Sequence, residues 1–363
     1  MKIFRFLPTL FLLFAATLLH AEEVTDKLEK SFPVTSGGTL KLVAEFGSVE
    51  VRSADVNEVK VTVERRVDAD TKQQAQEILN DFVLEPSTSG NTLEIHGRFK
   101  TGWVARSHGE NGNWNMCTSN LDGRSDSHET YCLRYAHELR EHRYIVTIPR
   151  KLNLFVHTQA GHVSTEDVDG ELGISTAGGH VTIGNVTHKA DVTTAGGHIT
   201  AGNIGGPAKM ITAGGHIRVG DVNGDLRAET AGGHIEGGHI RGNVEAKTAG
   251  GNINIRRADG AIVASTVGGR IRATFGAQPK EDSRLESMAG GVDVELPASV
   301  KLDVDVQSHG GGLNTDFPLT LDASDKDHRY VRDTSAHGKL NGGGPKLDIK
   351  TSMGSVSLLK AEL

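Results

Sequence analysis

Hydrophobic and polar residues alternate through much of this chain, and between Thr158 and Arg272 the alternation recurs with a fixed period. Thr158, Thr176, Thr194, Thr212, Thr230, Thr248 and Thr266 stand 18 residues apart without a slip. Around them three columns stay apolar from repeat to repeat. Leu172, Ala190, Ala208, Leu226, Val244 and Ile262 form one; Ile174, Val192, Met210, Ala228, Ala246 and Ala264 form another. The third is Val163, Val181, Ile199, Ile217, Ile235, Ile253 and Ile271. Chain neighbours such as Arg227, Glu229 and Arg218 are polar. Alternation of period two marks short strands with one buried face, and a strict longer repeat marks one unit stacked on copies of itself. The pattern predicts a parallel β-solenoid with these columns inside. Coils about 4.8 Å apart would make seven of them span roughly 30 Å. A left-handed hexapeptide helix also has coils of this length, but it needs an aliphatic residue every six positions, and His180 follows Ile174 by six. The preference of crossover connections then favours a right-handed coil.

Four repeats run on from threonine as Ala-Gly-Gly-His, at Ala177–His180, Ala195–His198, Ala213–His216 and Ala231–His234. Flanking copies read Gln-Ala-Gly-His162, Ala-Gly-Gly-Asn252 and Val-Gly-Gly-Arg270. The glycine pair is expected to supply positive φ at one corner of every coil. A second corner is expected at Gly184-Asn185, Gly202-Asn203 and Gly220-Asp221.

Outside this ladder the pattern loosens. Residues 22–99 read as a β-rich cap over the open end of the stack, which would otherwise invite pairing with another chain. Within it, Ala75, Ile78, Leu79 and Phe82 fall on one face of a helix over 70–82, with Asp70 the expected N-cap. Residues 100–142 break the pattern and read as an irregular insertion. Arg143–Pro149 returns as a strand, and the regular solenoid runs over 143–275. Residues 276–363 read as looser coils and a cap: an inserted loop at Gln278–Ser283, a polar excursion over Asp322–Asn341, and Leu347–Ile349 with Val356–Leu358 finishing the stack.

The first 21 residues read as a signal peptide, with Lys2 and Arg5 before the apolar run Phe6–Leu19 and Ala21 at the cleavage point. That run is short for a membrane span, and no span is expected after cleavage. Export places the protein in the periplasm or at the cell surface. It also bears on Cys117 and Cys132, the two cysteines, which are most simply one disulfide stapling the insertion. The rival is a reactive or metal-binding thiol pair near His128 and His137, but the 14 intervening residues match no zinc-ligand spacing. Without the leader the chain carries 37 basic and 46 acidic residues, a net charge of −9 that disfavours nucleic acid as a partner. Aromatic residues make up 5% and glycines number 45, which suits thin coils better than a thick globular interior.

The sharpest chemical candidate is the column His162, His180, His198, His216 and His234. Opposite in parity to the valine and isoleucine column, it should project outward, where neighbouring imidazoles about 4.8 Å apart could share a Zn²⁺ or Cu²⁺ ion. The plainer reading is an imidazole ladder that packs along the corner. A β-helix enzyme acting on polysaccharide would need convergent carboxylates, whereas Asp191, Asp221, Asp225, Glu229 and Glu236 occupy different columns. The threonine column shares parity with buried Ile174, so it does not present a flat ice-binding face. No catalytic motif and no cofactor motif occurs.

The run Phe46-Gly-Ser-Val-Glu-Val51, then Tyr144-Ile-Val-Thr-Ile-Pro149, the Thr-x-Gly-Gly-x-Ile/Val coils and the closing Met353-Gly-Ser-Val356 resemble an adhesin-like family of exported bacterial β-strand-repeat proteins. The resemblance covers nearly the whole chain after the leader. It implies a β-helix-like domain in the cell envelope and brings no catalytic residues. The cysteine-bearing insertion and the histidines depart from the family pattern. Together these features predict a non-enzymatic envelope protein presenting a rigid surface for adhesion or scaffolding. Its expected partners are an envelope polysaccharide, another envelope protein or a second copy of itself.

Overall fold

Among the described residues two long sheets, of 14 and 15 strands, run through the protein. The computed structural model describes residues 22–101, 103–106, 117–118, 130–133, 138–321 and 334–361. The leader, His128, His137 and most of the Asp322–Asn341 excursion lie outside the described residues.

In the regular region each coil gives one strand to each sheet. Leu172–Thr176, Ala190–Thr194, Ala208–Thr212, Leu226–Thr230, Val244–Thr248 and Ile262–Thr266 pair in parallel, each residue opposite the one 18 positions on. Val181–Ile183, Ile199–Ala201, Ile217–Val219 and Ile235–Ile240 do the same in the other sheet. The fold is a parallel β-solenoid. All three apolar columns are buried, and the alanines among them keep the space between the sheets thin.

A third side was not expected. Val168, Val186, Ile204, Val222 and Ile240 form a parallel ladder of single bridges, each side chain no more than 1% exposed. The chain therefore turns once after Ile183 and again around Thr187-His188, so a coil has three corners where the sequence suggested two.

The role of the paired glycines also differs from the expectation. Among the regular coils only Gly161 and Gly179 have φ in the left-handed region, at 136° and 109°. What recurs is crowding. A β-carbon on Gly197, Gly215, Gly233, Gly251 or Gly269 would lie 1.8–2.0 Å from the carbonyl oxygen of the corresponding glycine one coil earlier. The first glycine of each pair has space: nothing lies within 4 Å of such a carbon at Gly178 or Gly196, and the nearest atom to Gly214 is at 3.4 Å. Close approach of backbone to backbone, not turn geometry, dictates the second glycine.

The threonine column secures the same corner from inside. The hydroxyls of Thr212, Thr230, Thr248 and Thr266 donate to the carbonyls of Gly197, Gly215, Gly233 and Gly251, each at 2.8 Å. Each hydroxyl also accepts the N–H of the second glycine of its own coil at 3.2 Å. A buried hydroxyl is thus fully used, which removes the cost of burying it.

At the amino-terminal end, Thr39–Ala44 and Ser48–Ala54 make a coil against Asn153–Thr158 and Val163–Thr165. The chain then leaves the stack and builds a cover. Thr92–Phe99 and Phe82–Ser89 extend one sheet, while Leu139–Pro149, Glu58–Ala69 and Glu22–Pro33 extend the other. The helix spans Lys72–Asp81 and buries Ala75, Ile78 and Leu79. Its cap is Thr71, not Asp70: the Thr71 hydroxyl accepts the N–H of Gln74 at 3.2 Å, and the chain bends into strand at Phe82. The strand expected from Arg143 begins at Leu139, which moves His142 out of the insertion and into the core. Within the insertion, Trp103–Arg106, Cys117–Thr118 and Thr130–Leu133 form a small antiparallel sheet.

At the other end, three extra residues shift the repeat, so that Thr266 pairs with Ser287. The strands Lys346–Thr351 and Val356–Lys360 do not finish the stack as the sequence suggested. They lie between the coil containing Ser283–Ser287 and Val292–Leu296 and the coil containing Leu302–Ser308 and Leu313–Thr315. The corner bonds follow the same order: Thr351 donates to the Gly290 carbonyl at 2.7 Å, and Ser308 to the Gly354 carbonyl at 2.8 Å.

Candidate functional site

The five histidines form one continuous exposed ladder along a corner of the solenoid. Successive rings from His162 to His234 stack with centroids 5.1, 4.7, 4.8 and 4.9 Å apart and planes within 9° of parallel. The backbone N–H of His180 donates to Nδ1 of His162 at 2.9 Å, and His198 donates to His180 in the same way. His216, His234 and Asn252 continue the series at 2.8 Å. The Asn252 side chain then accepts the N–H of Arg270 at 2.8 Å, so asparagine replaces imidazole without loss of the bond.

These bonds fix the chemistry of the column. A nitrogen that accepts an N–H carries no proton, so each neutral ring holds its proton on Nε2. Parallel rings send those Nε2 atoms outward side by side rather than toward a common point. An ion about 2.0–2.1 Å from one ring nitrogen, in its plane, is off the axis of the next ring. Among the described residues no group of three or more His, Cys, Asp or Glu side chains is placed to hold a metal. Protonating Nδ1 would cost the inter-coil bond as well. The pKa of His198 is lowered, first by desolvation between its neighbours and then by the charges His180 and His216 would carry.

The carboxylates the sequence singled out are engaged by neighbouring coils or, for Glu229, by a cation in its own strand. Asp221 and Asp225 accept the N–H groups of His239 and Asn243, each at 2.8 Å. Asp191 lies 3.5 Å from Lys209, Glu229 lies 2.7 Å from Arg227, and Glu236 pairs with Arg218 at 2.8 Å. They meet at no common groove. Cys117 and Cys132 stand directly opposite one another in the register of the small antiparallel sheet.

A titratable side chain that sequence reasoning missed lies under the cap. The His142 ring is enclosed by Phe46, Phe82, Phe99 and Tyr144, with centroids 4.7–5.9 Å away, and neither nitrogen has a hydrogen-bond partner. Burial, with the nearby Arg65 guanidinium, pushes its pKa down to about 3. Arg65 is held by Asp26 and by the Leu79 carbonyl at 2.6 Å. Burial likewise pushes the Tyr144 phenol up. Only the phase of Tyr144, Val146 and Ile148, carried back two residues to His142, could have signalled this.

Two surface grooves were also unforeseen. One, of about 450 Å³, lies beside the loop that carries Glu281 and Asp282, over Leu226, Val244 and Val263, with Lys209 and Arg227 on its rim. The other, about 360 Å³, surrounds Phe155. The three-residue shift after Thr266 was the sequence signal for the first. An aromatic residue in an outward column was the signal for the second.

Among solved structures, the chain is similar to "a putative adhesin" from Bacteroides fragilis at 13% identity, covering 93% of this chain and 97% of that one with a TM-score of 0.34. A "putative lipid binding protein" from Parabacteroides distasonis also matches at 13% identity, with 93% and 97% covered and a TM-score of 0.38. "A putative cell adhesion protein" from Clostridium sporogenes matches at 11% identity, with 93% and 100% covered and a TM-score of 0.18. No curated protein matches the sequence. The family model Toastrack DUF4097 matches residues 40–268, more than half of the chain. The stacked coils, the glycine–threonine corner and the return of the chain from its cap are thus those of a member of the Toastrack DUF4097 family, to which this protein belongs.

Proposed function

We propose that this is an exported, adhesin-like envelope protein that offers a rigid β-solenoid face to an envelope polysaccharide and performs no catalysis. The observation that carries the reading is the use made of its polar side chains. The ladder histidines, Asp221 and Asp225 bind the backbone of the next coil, and Asp191, Glu229 and Glu236 pair with Lys209, Arg227 and Arg218, so these side chains serve the scaffold. Such ladders hold the outward faces still, and a face that does not reorganise loses little entropy on binding an extended ligand. The leader-like start, with Lys2, Arg5 and the run Phe6–Leu19, supports export. Among the described residues no helix is long and apolar enough to cross a membrane.

Fractionation with amino-terminal sequencing tests the first half: a processed chain starting at Glu22 outside the cytoplasm is expected, and an unprocessed cytosolic chain overturns it. Co-sedimentation of the processed protein with purified cell-wall sacculi tests the second. The bound fraction should rise with sacculus concentration and saturate, and no sugar released from them should be detected.

A further inference from the structure

The surface around Phe155 is built differently from the rest of the sheet. In its outward column, Phe155 pairs with Lys41 in the preceding coil and with Gly173 in the following one. Every later coil of the regular ladder puts a larger residue in that column: Asp191, Lys209, Arg227, Glu245 and Val263. Gly173 lets the Phe155 ring lean down onto the sheet, with Cδ1 2.5 Å from where a β-carbon on residue 173 would stand. The ring is pinned on one side and still 37% exposed, the one aromatic among the exposed large hydrophobic side chains of the described residues.

Polar groups border it on one flank. His157 stands two residues along the strand, about 6.6 Å away on the same face. Ser175 and Thr193 follow it in register on the next two coils. His157 and Ser175 are exposed and Thr193 is half-buried; among the described residues no side-chain hydrogen bond engages them. The charges nearby do not make a field of one sign: Lys41 lies beside Glu94 in register, and Asp191 is 3.5 Å from Lys209. A flat apolar platform, with uncommitted hydroxyl and imidazole groups one sugar-width away and no net charge, complements a neutral pyranose. The sugar's C–H face covers the ring while its hydroxyl edge meets the polar flank.

We propose that Phe155, with His157, Ser175 and Thr193 beside it, is a subsite for a neutral pyranose ring of an extended glycan. The proposal rests on the reading of the protein as a polysaccharide-binding envelope protein and names where and how one sugar unit is held. Rigidity favours the site: an aromatic ring has two torsions to lose, and here both are already restrained by the sheet. Coils repeat at about 4.8 Å, so a glycan laid along the solenoid axis would meet the Ser175 and Thr193 hydroxyls in turn.

Phe155 also covers a glycine backbone, which stabilises a sheet whether or not a sugar binds. The test must separate the two roles. Calorimetric titration of the processed protein with cellohexaose, chitohexaose and maltohexaose should give saturable binding of at least one. Phe155→Leu keeps Gly173 covered and should leave the melting temperature within a few degrees, but it removes the flat π face and should weaken that binding roughly tenfold. Phe155→Tyr should retain it. Ser175→Ala with Thr193→Ala should weaken it without a change in melting. Unchanged affinity in Phe155→Leu overturns the subsite, and so does a wild-type protein that binds sacculi but none of the oligomers; in both cases the broader reading stands. A protein that binds neither oligomers nor sacculi overturns both.

Discussion

The carbonyl oxygen of Gly197 lies 2.0 Å from the point a β-carbon on Gly215 would occupy. Residue 214, its neighbour, faces the Gly196 carbonyl at 3.4 Å, an ordinary contact. Two adjacent glycines, identical in the repeat, therefore carry very different constraints. Gly215→Ala should destabilise by roughly 3 kcal/mol or more, because the overlap is with backbone and can be relieved only by separating two coils. Gly214→Ala should stay within about 1 kcal/mol of wild type. Urea denaturation of the two variants decides the matter, and equal midpoints would show that crowding is not what selects the second glycine.

Thr230 is the next element of the same corner. Thr230→Val keeps shape but deprives the Gly215 carbonyl and the Gly233 N–H of a buried partner, at about 1–3 kcal/mol for each group left unsatisfied. Thr230→Ser keeps both bonds and should cost no more than about 1 kcal/mol for the lost methyl. Ser287 already plays this part, donating to the Gly269 carbonyl at 2.7 Å and accepting from Gly290 at 2.9 Å. Valine and serine variants of equal stability would mean the hydroxyl is incidental.

Acid should weaken the fold through two separate groups. The folded pKa of His198 is lowered and that of His142 falls to about 3, whereas an unfolded histidine titrates near 6.5. The unfolded chain therefore binds more protons, and the stability these groups lend is complete above about pH 6.5 and lost as pH falls below it. For fully buried His142 the loss continues toward pH 3 and totals on the order of 5 kcal/mol. Replacing His180, His198 and His216 together by Asn keeps an acceptor for each inter-coil N–H, as Asn252 does. Denaturation midpoints of that variant should fall less steeply between pH 7 and 5 than those of wild type, and His142→Phe should flatten the limb below pH 5. A triple variant that follows the wild-type curve throughout would show that His198 does not titrate below its unfolded value.

Cys117 and Cys132 are register partners across two antiparallel strands, a placement compatible with the disulfide expected of an exported chain. In the exported protein neither cysteine should react with an alkylating reagent before reduction. For a loop of this length the bond should contribute about 3 kcal/mol, confined to the insertion. Hydrogen exchange after reduction should rise over residues 100–138 and leave the coils unchanged. Quantitative alkylation of the unreduced protein would exclude the bond.

The regular coils were legible because three apolar columns and one threonine recur at a constant interval, so every repeat restates the same fold. The outward parity of the histidines followed from the same alternation. What they do there did not: nothing in His180 or His198 alone says that Nδ1 accepts a backbone N–H from the next coil. The third side escaped notice because each coil gives it one bridging residue, Val168, Val186, Ile204 or Val222, with no alternating partner beside it. Thr71 and Asp70 both suit a cap, and only the bend of the chain decides between them. The groove at Phe155 depends on a glycine in the next coil, and so on a register that no local pattern displays.

Space and sequence disagree at one point in the stack. Growing coil by coil from the cap, the solenoid would halt at Val292–Leu296, because the adjoining place belongs to Val356–Lys360. Leu302–Ser308 pairs with Thr334–Leu340 on one side, but it is joined to the stack only through Lys346–Thr351. This end of the molecule therefore closes like a keystone arch. Its outermost coil rests on a later segment wedged beneath it, and contacts of such long sequence separation are the kind that slow folding. Before residues 356–360 are in place the edge of Val292–Leu296 has no strand on that side, and a bare edge is where another chain can add.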